Sequence, residues 1–303
     1  MTEGSEEHGS PTVQHPPYQT GFGNEFASEA LPGALPVGQN NPQQPPLGLY
    51  TEQLSGTAFT VPNHRNRRTW MYRIRPSVRH AWRFVEGTNS WIRTAPCRED
   101  NPPIGQLRWD PPPFPDEPTT FLTGIRTVAT NGDAHTQTGM AAHVYMATDS
   151  MTDTYFYNAD GEFLIVPQAG RLRFVTECGA LIVEPGEIAV MPRGMVYRVE
   201  LLDRSARGYI CENYGTYLEI PERGPIGANG MANPRDFLYP VAAFEDTEAA
   251  GELSVKFDGR MFAVETDYSP LDVVGWHGNH VPYKYDLRKY NVMGSISFDH
   301  PDP

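Results

Sequence analysis

Gly186-Glu187-Ile188-Ala189-Val190-Met191-Pro192-Arg193-Gly194-Met195-Val196-Tyr197 is a short apolar run, a turn, and the start of a second run. Proline closes the first run at Pro192, where neither a helix interior nor a central strand tolerates it. Arg193-Gly194 then marks a turn, and Val196–Leu202 resumes the alternation of a strand. The same rhythm extends on both sides. Strands are expected at Phe121–Val128, Met140–Ala147, Thr154–Tyr157, Glu162–Pro167, Arg171–Glu177, Ala180–Glu184, Ile188–Pro192, Arg207–Glu212 and Tyr217–Pro221. Turn signals such as Asn158-Ala159-Asp160-Gly161, Gln168-Ala169-Gly170 and Pro185-Gly186 separate them. Many short strands at this spacing predict a mainly β chain folded as a double-sheet sandwich or barrel. Only Phe244–Gly251 carries a hint of helical period.

The composition agrees. Glycine (28) and proline (29) make up 57 of the 303 residues, well above the roughly 12% of an average chain. Hydrophobic residues are 39%, enough for a core and too many for a disordered chain. The longest apolar runs, such as Phe163-Leu164-Ile165-Val166, fall far short of the roughly 20 residues of a membrane-spanning helix. Met1–Ser10 is acidic and polar, without the basic and apolar regions of a secretory signal. Cys97, Cys178 and Cys211 are odd in number and far apart, so neither a disulfide framework nor a cysteine zinc site is expected. A reducing cytoplasm fits. A net charge of −13 disfavours a nucleic-acid partner. The densest basic patch, Arg65, Arg67, Arg68, Arg73 and Arg75, includes Trp70-Met71-Tyr72-Arg73-Ile74-Arg75, whose alternation is that of a half-buried strand. Its arginines are expected on a solvated or ion-paired face.

The opening stretch has the form Gly, five residues, Pro, one residue, Gly, two residues, Tyr. It resembles the second motif of the cupin superfamily, small double-sheet barrels, with Tyr197 standing where metal-binding members place a histidine. The first cupin motif supplies two more histidines and a carboxylate. Here no histidine lies between His143 and His277, and imidazole is the main cupin ligand for a divalent transition metal. The barrel is therefore expected to be metal-free, with Tyr197 pointing inward and its hydroxyl hydrogen-bonded. Glu162, Glu177, Glu184 and Glu187 read as turn and surface carboxylates.

The histidines His8 and His15 lie in the tail, His64 and His80 among arginines, and His135 in a polar turn. His143, in an apolar strand, reads as a hydrogen-bonded core or interface residue. Val274-Gly275-Trp276-His277-Gly278-Asn279-His280, followed at a distance by Asp299-His300, is the one suggestive cluster. It is open to three readings. His277, His280, His300 and Asp299 could form a two-histidine, one-carboxylate iron site. His277, between glycines that permit close approach of a ligand, could serve proton transfer. Or Trp276 and His277 could merely buttress a turn.

Four regions are expected: a mobile tail over 1–20, an arm with irregular and strand segments over 21–118, the barrel with a following irregular stretch over 119–251, and a second unit over 252–303. Phe22, Phe26 and Leu31 should pack the arm on the body or on a neighbouring subunit. The second unit has strand candidates at Met261–Glu265 and Asn291–Phe298. Its fifty or so residues are too few to bury a core of their own, so it reads as unfinished.

Several strings carry a stronger likeness. They are Tyr18-Gln19-Thr20-Gly21-Phe22-Gly23-Asn24-Glu25-Phe26, Gly38–Gln43, Tyr50–Thr60, Gly161–Gln168, Gly224–Gly230 with Asn233–Leu238, and Gly275-Trp276-His277-Gly278-Asn279. In these the chain resembles the homogentisate 1,2-dioxygenase family, in register from Tyr18 to the last residue. The resemblance implies a double cupin whose N-terminal barrel, like this one, has no metal site. It implies ring cleavage of homogentisate by O2 to maleylacetoacetate, in tyrosine and phenylalanine breakdown. It implies Fe(II), which lets triplet oxygen react by one-electron steps, held by two histidines and a glutamate. His277 stands at the position of the histidine that accepts the substrate's hydroxyl proton. The family's iron ligands lie beyond the position matched by Pro303, so no metal ligand is expected within this chain. The 303 residues alone are expected to hold no iron and to be inactive. A cytoplasmic hexamer, built as a dimer of trimers, is also implied. The alternative from a different class is a non-catalytic cupin-type binding or assembly module.

Overall fold

The computed structural model describes residues 14–38, 44–79, 83–87, 91–94, 104–106, 108, 110–220 and 232–290. Most of the 1–20 tail, His8, His80, Cys97, the Gly224–Gly230 string, the Asn291–Phe298 strand candidate, Asp299 and His300 lie outside the described residues.

The described chain is mainly β, in three sheets. The first, of eight strands, runs in the order Tyr18–Thr20, Phe237–Pro240, Tyr283–Asp286, Glu187–Met191, Glu162–Ala169, Ala206–Asn213, Thr138–Ala147 and Arg126–Asp133. The second has seven, in the order Gly179–Val183, Leu172–Thr176, Tyr197–Leu201, Thr154–Asn158, Gly251–Phe257, Arg260–Thr266 and Val85–Glu86. Between these two sheets lies one aromatic and aliphatic core that includes Phe121, Tyr145, Phe156, Phe163, Ile165, Phe174, Leu181, Tyr197, Val199 and Ile210. Two faces burying alternate side chains against each other give the cupin-like double sheet. Neighbouring strands pair antiparallel except Thr154–Asn158 with Gly251–Phe257. Pairing runs on through residue 252, where the sequence places the start of a second unit: the hairpin Gly251–Phe257/Arg260–Thr266 is built into the second sheet.

The third sheet positions the site. It orders Phe26–Glu29, Val273–Gly278, Arg68–Arg73 and Tyr50–Ser55. Met71 and Trp276 of one face pack with Phe26, Cys178, Met195, Phe237, Tyr239 and Tyr285 into a second core. There the Trp276 indole N–H donates to the Cys178 carbonyl at 2.8 Å. The arm thus packs on the body through Phe22 and Phe26.

Three expectations shift. The strand expected from Phe121 begins at Arg126, because Thr120–Gly124 closes a turn (Gly124 N–H to Thr120 O, 2.8 Å) that lies against the Met146 carbonyl. Tyr217–Ile220 forms no strand: it is fastened by its side chain, with the Tyr217 hydroxyl on the Arg65 carbonyl at 2.6 Å. Phe244–Gly251 is not helical. Its backbone bonds go outward instead, from the Glu245 amide to the Leu271 carbonyl and to the Thr247 carbonyl from the Ser269 amide. Cys178 and Cys211 are free thiols. No helix among the described residues is long and apolar enough to cross a membrane.

Candidate functional site

Tyr197 is buried in the double-sheet core, pointing inward as expected. Its ring meets Phe156 and Phe174 at centroid distances of 5.6 and 5.9 Å. Its hydroxyl, expected to be hydrogen-bonded, has no partner among the described residues. Burial, with the charge of Glu212 second, pushes this phenol far above its ordinary range. A cluster of buried polar groups sits elsewhere in the double sheet. Glu212 accepts from Lys256 (2.8 Å) and Asn158 (2.6 Å), and its other oxygen lies 3.1 Å from His143 Nε2. Lys256 also reaches Asp160 at 2.6 Å. Burial alone would raise the Glu212 carboxyl. The Lys256 charge and the His143 contact outweigh it and hold the group at about 2. His143 is therefore a hydrogen-bonded core residue, its Nδ1 2.9 Å from the Thr127 hydroxyl.

Three of the four carboxylates expected at turns and surfaces are buried: Glu162, Glu177 and Glu187. Each has a partner that offsets part of the desolvation. Glu187 holds Lys284 at 2.8 Å. Glu177 holds Arg73 at 2.8 Å, and Arg73 also binds Glu52 (2.8 Å) and Asp272 (3.1 Å). The alternating arginines of this strand are thus ion-paired, inside rather than on a solvated face. Among the described residues Glu162 accepts a hydrogen bond only from the Leu218 amide, and burial raises it to about 7 against that bond and the charges of Arg67 and Arg193.

His277 sits near the end of the strand Val273–Gly278, opposite Ala27 of the arm and Trp70 of the neighbouring strand. Gly278 follows at φ +148, and a β-carbon there would lie 2.3 Å from the Arg68 carbonyl. Only glycine permits that approach. The chain then turns, so that the Asn279 and His280 amides both donate to Arg68 O. The His277 ring is half-buried, and its Nε2 lies 3.0 Å from the hydroxyl of Tyr72. It borders an open, polar cleft of about 540 Å³ shared with Gly23, Glu25, Gly38, Asn63, His64, Arg68, Trp70 and Asn279. Glu25 accepts from Arg68 and from Asn279, each at 3.2 Å, and Asn279 Oδ1 accepts from the Arg68 amide at 3.0 Å. Burial lowers His277 below its ordinary 6.5. Glu25 opposes this and Arg68 adds to it. A histidine that stays neutral near pH 7, at the wall of a polar cleft, can accept a proton from a bound hydroxyl.

His280 points elsewhere. It is buried, with Nε2 2.9 Å from the Arg193 carbonyl, and burial lowers it to about 4. His277 and His280 therefore address different partners and do not converge. Among the described residues no three His, Cys, Asp or Glu side chains are placed to hold a metal ion. Sequence reasoning singled out His277 but missed Tyr72, Glu25, Arg68 and His64 as its neighbours. The alternation Trp70-Met71-Tyr72 placed Tyr72 on a strand, yet only strand pairing brings it to His277.

The family model described as "Homogentisate 1,2-dioxygenase N-terminal" matches residues 17–287. Curated relatives named homogentisate 1,2-dioxygenase include those of Rhodopseudomonas palustris (strain TIE-1) and Nitrobacter hamburgensis. Each is 60% identical over 95% of this chain and 64% of its own length. That of Bradyrhizobium diazoefficiens is 57% identical over the same shares. Among solved structures, a cupin-2 domain protein from Shewanella frigidimarina is 16% identical, covers 29% of this chain and 78% of its own, and has a TM-score of 0.25. The chain spans 64% of the length of the first two curated relatives. It aligns with them over nine-tenths of its own length, and it belongs to the homogentisate 1,2-dioxygenase family.

Proposed function

We propose that this chain provides the N-terminal portion of a homogentisate 1,2-dioxygenase. Such an enzyme inserts both atoms of O2 into homogentisate and opens the ring to maleylacetoacetate. The observation that carries the reading is the His277 cleft. A half-buried imidazole, held below its ordinary pKa by burial, borders an open polar cleft. His277 is the proton acceptor for the substrate's ring hydroxyl. Arg68, 34% exposed, offers a cation to the substrate's acetate group, which would compete with Glu25 for it.

The described residues hold no metal cluster, so no step is assigned to iron on them. On this reading Fe(II) and its ligands belong to the part of the relatives' length that this chain does not span. On the same reading the protein is a cytoplasmic hexamer, a dimer of trimers.

Oxygen uptake with homogentisate tests the reading. Protein extended to the relatives' length should consume one O2 per homogentisate and form maleylacetoacetate, and the 303-residue chain alone should do neither. If the extended, iron-loaded protein shows no uptake, the family relationship does not extend to activity and the chain is a binding or assembly module.

A further inference from the structure

Among the described residues the inward nitrogen of His277 meets one protein group, the Tyr72 hydroxyl at 3.0 Å. Tyr72 is wholly buried, on the strand next to His277. Its register partner is Gly275, and His277 is the diagonal neighbour two residues on, within reach of a long aromatic side chain. The two rings lie 5.7 Å apart at 27°. Burial raises the Tyr72 phenol, so it stays a neutral hydroxyl at every working pH. The hydrogen bond fixes which nitrogen faces which way. Nε2 is turned into the protein, and among the described residues Nδ1 has no hydrogen-bond partner. We propose that Tyr72 is a positioning residue for His277: it holds Nδ1 at the cleft as the nitrogen that takes the proton, and its oxygen accepts from Nε2–H once the ring is charged.

The proton count supports this. An imidazolium carries a proton on both nitrogens, so in the charged ring Nε2 must donate, and among the described residues the Tyr72 oxygen is its one acceptor. In the neutral ring the hydroxyl rotor can serve either tautomer, accepting from Nε2–H or donating to Nε2. A hydrogen bond from a charged donor is about twice as strong as one between neutral groups. The Tyr72 hydroxyl therefore favours the protonated ring and partly offsets the burial that lowers it. The other charged and titratable groups around the ring are Glu25 on the arm, Arg68 on the adjacent strand and His64 across the cleft. Glu29 is engaged by the amides of Gly33 and Leu35.

This assignment rests on the proton-acceptor reading of His277, but its test needs neither substrate nor turnover. The probe is NMR of the 303-residue chain with 15N-labelled histidine, titrated from pH 8 to 5, wild type against Tyr72→Phe. The variant removes one oxygen and keeps the ring. The His277 midpoint should fall by about 0.5–1 pH unit in Tyr72→Phe. Glu25→Gln should lower the same midpoint without altering which nitrogen titrates at the cleft, a second reading if Tyr72→Phe folds poorly. A midpoint that rises in Tyr72→Phe would mean that Tyr72 donates to a neutral ring, and would overturn the proposal, as would no change. In the extended enzyme the acid limb of the kcat profile should move with the NMR midpoint. If the midpoint moves as expected but no turnover exists in wild type, the dioxygenase reading fails and the Tyr72 assignment stands.

Discussion

His280 and Glu162 border the same small pocket and titrate in opposite senses, which makes their pair a quantitative test of the buried site. His280 is lowered from 6.5 to about 4 by burial. Its unfolded form takes a proton that its folded form refuses, so its stabilising contribution is present above pH 6.5 and lost as pH falls toward 4. Glu162 is raised from 4.5 to about 7 by burial. Its folded form binds a proton that the unfolded form releases, so its contribution is present below pH 4.5 and lost as pH rises through 7. At 1.36 kcal/mol per pH unit, each amounts to about 2–3 kcal/mol between pH 7.5 and 4.5. In the wild type the two offset each other. Urea unfolding of His280→Gln and Glu162→Gln across that range separates them. Relative to wild type, His280→Gln should gain about 2–3 kcal/mol as pH falls, and Glu162→Gln should lose about as much. A difference between His280→Gln and wild type that stays constant with pH would refute the description of His280 as a neutral buried histidine. It would reopen the possibility that it carries a proton or a metal.

Lys256→Met should cost about 3–5 kcal/mol in urea unfolding, because it leaves the Asp160 and Glu212 carboxylates inside the double sheet without their shared cation. Adding Glu212→Gln to it should recover part of that loss. Gly179→Ala should cost about 2 kcal/mol or more: the residue sits at φ +121 with its missing β-carbon 2.0 Å from the Val241 carbonyl. A neutral result would show that the Gly179 turn can open.

How much was legible follows from range. The opening strands were readable because each is a local event: Ile188–Met191 is apolar, Pro192 ends it, and Gly194 at φ +84 turns it. Boundaries failed where a distant segment claimed the backbone, as Leu271 does for Glu245. Glycines 275 and 278 around His277 signalled the approach of a ligand or an unusual backbone angle, and Gly278 shows the second, at φ +148 against the Arg68 carbonyl. Tyr72, Glu25 and Arg68 were not legible as neighbours of His277. They lie about 200 or more residues away in sequence, and only the pairing of the third sheet joins them. The buried carboxylates were misread for the same reason: the desolvation of Glu177 is offset by Arg73, 104 residues away. Nothing local marked it as interior.

On the proposed reading, His277 serves a substrate's proton and not a metal. Iron content and homogentisate turnover, measured together on His277→Gln in protein extended to the relatives' length, test it most directly. The account predicts wild-type iron per subunit with turnover lower by about 10²–10⁴. Loss of the iron along with the turnover would make His277 a ligand and contradict it.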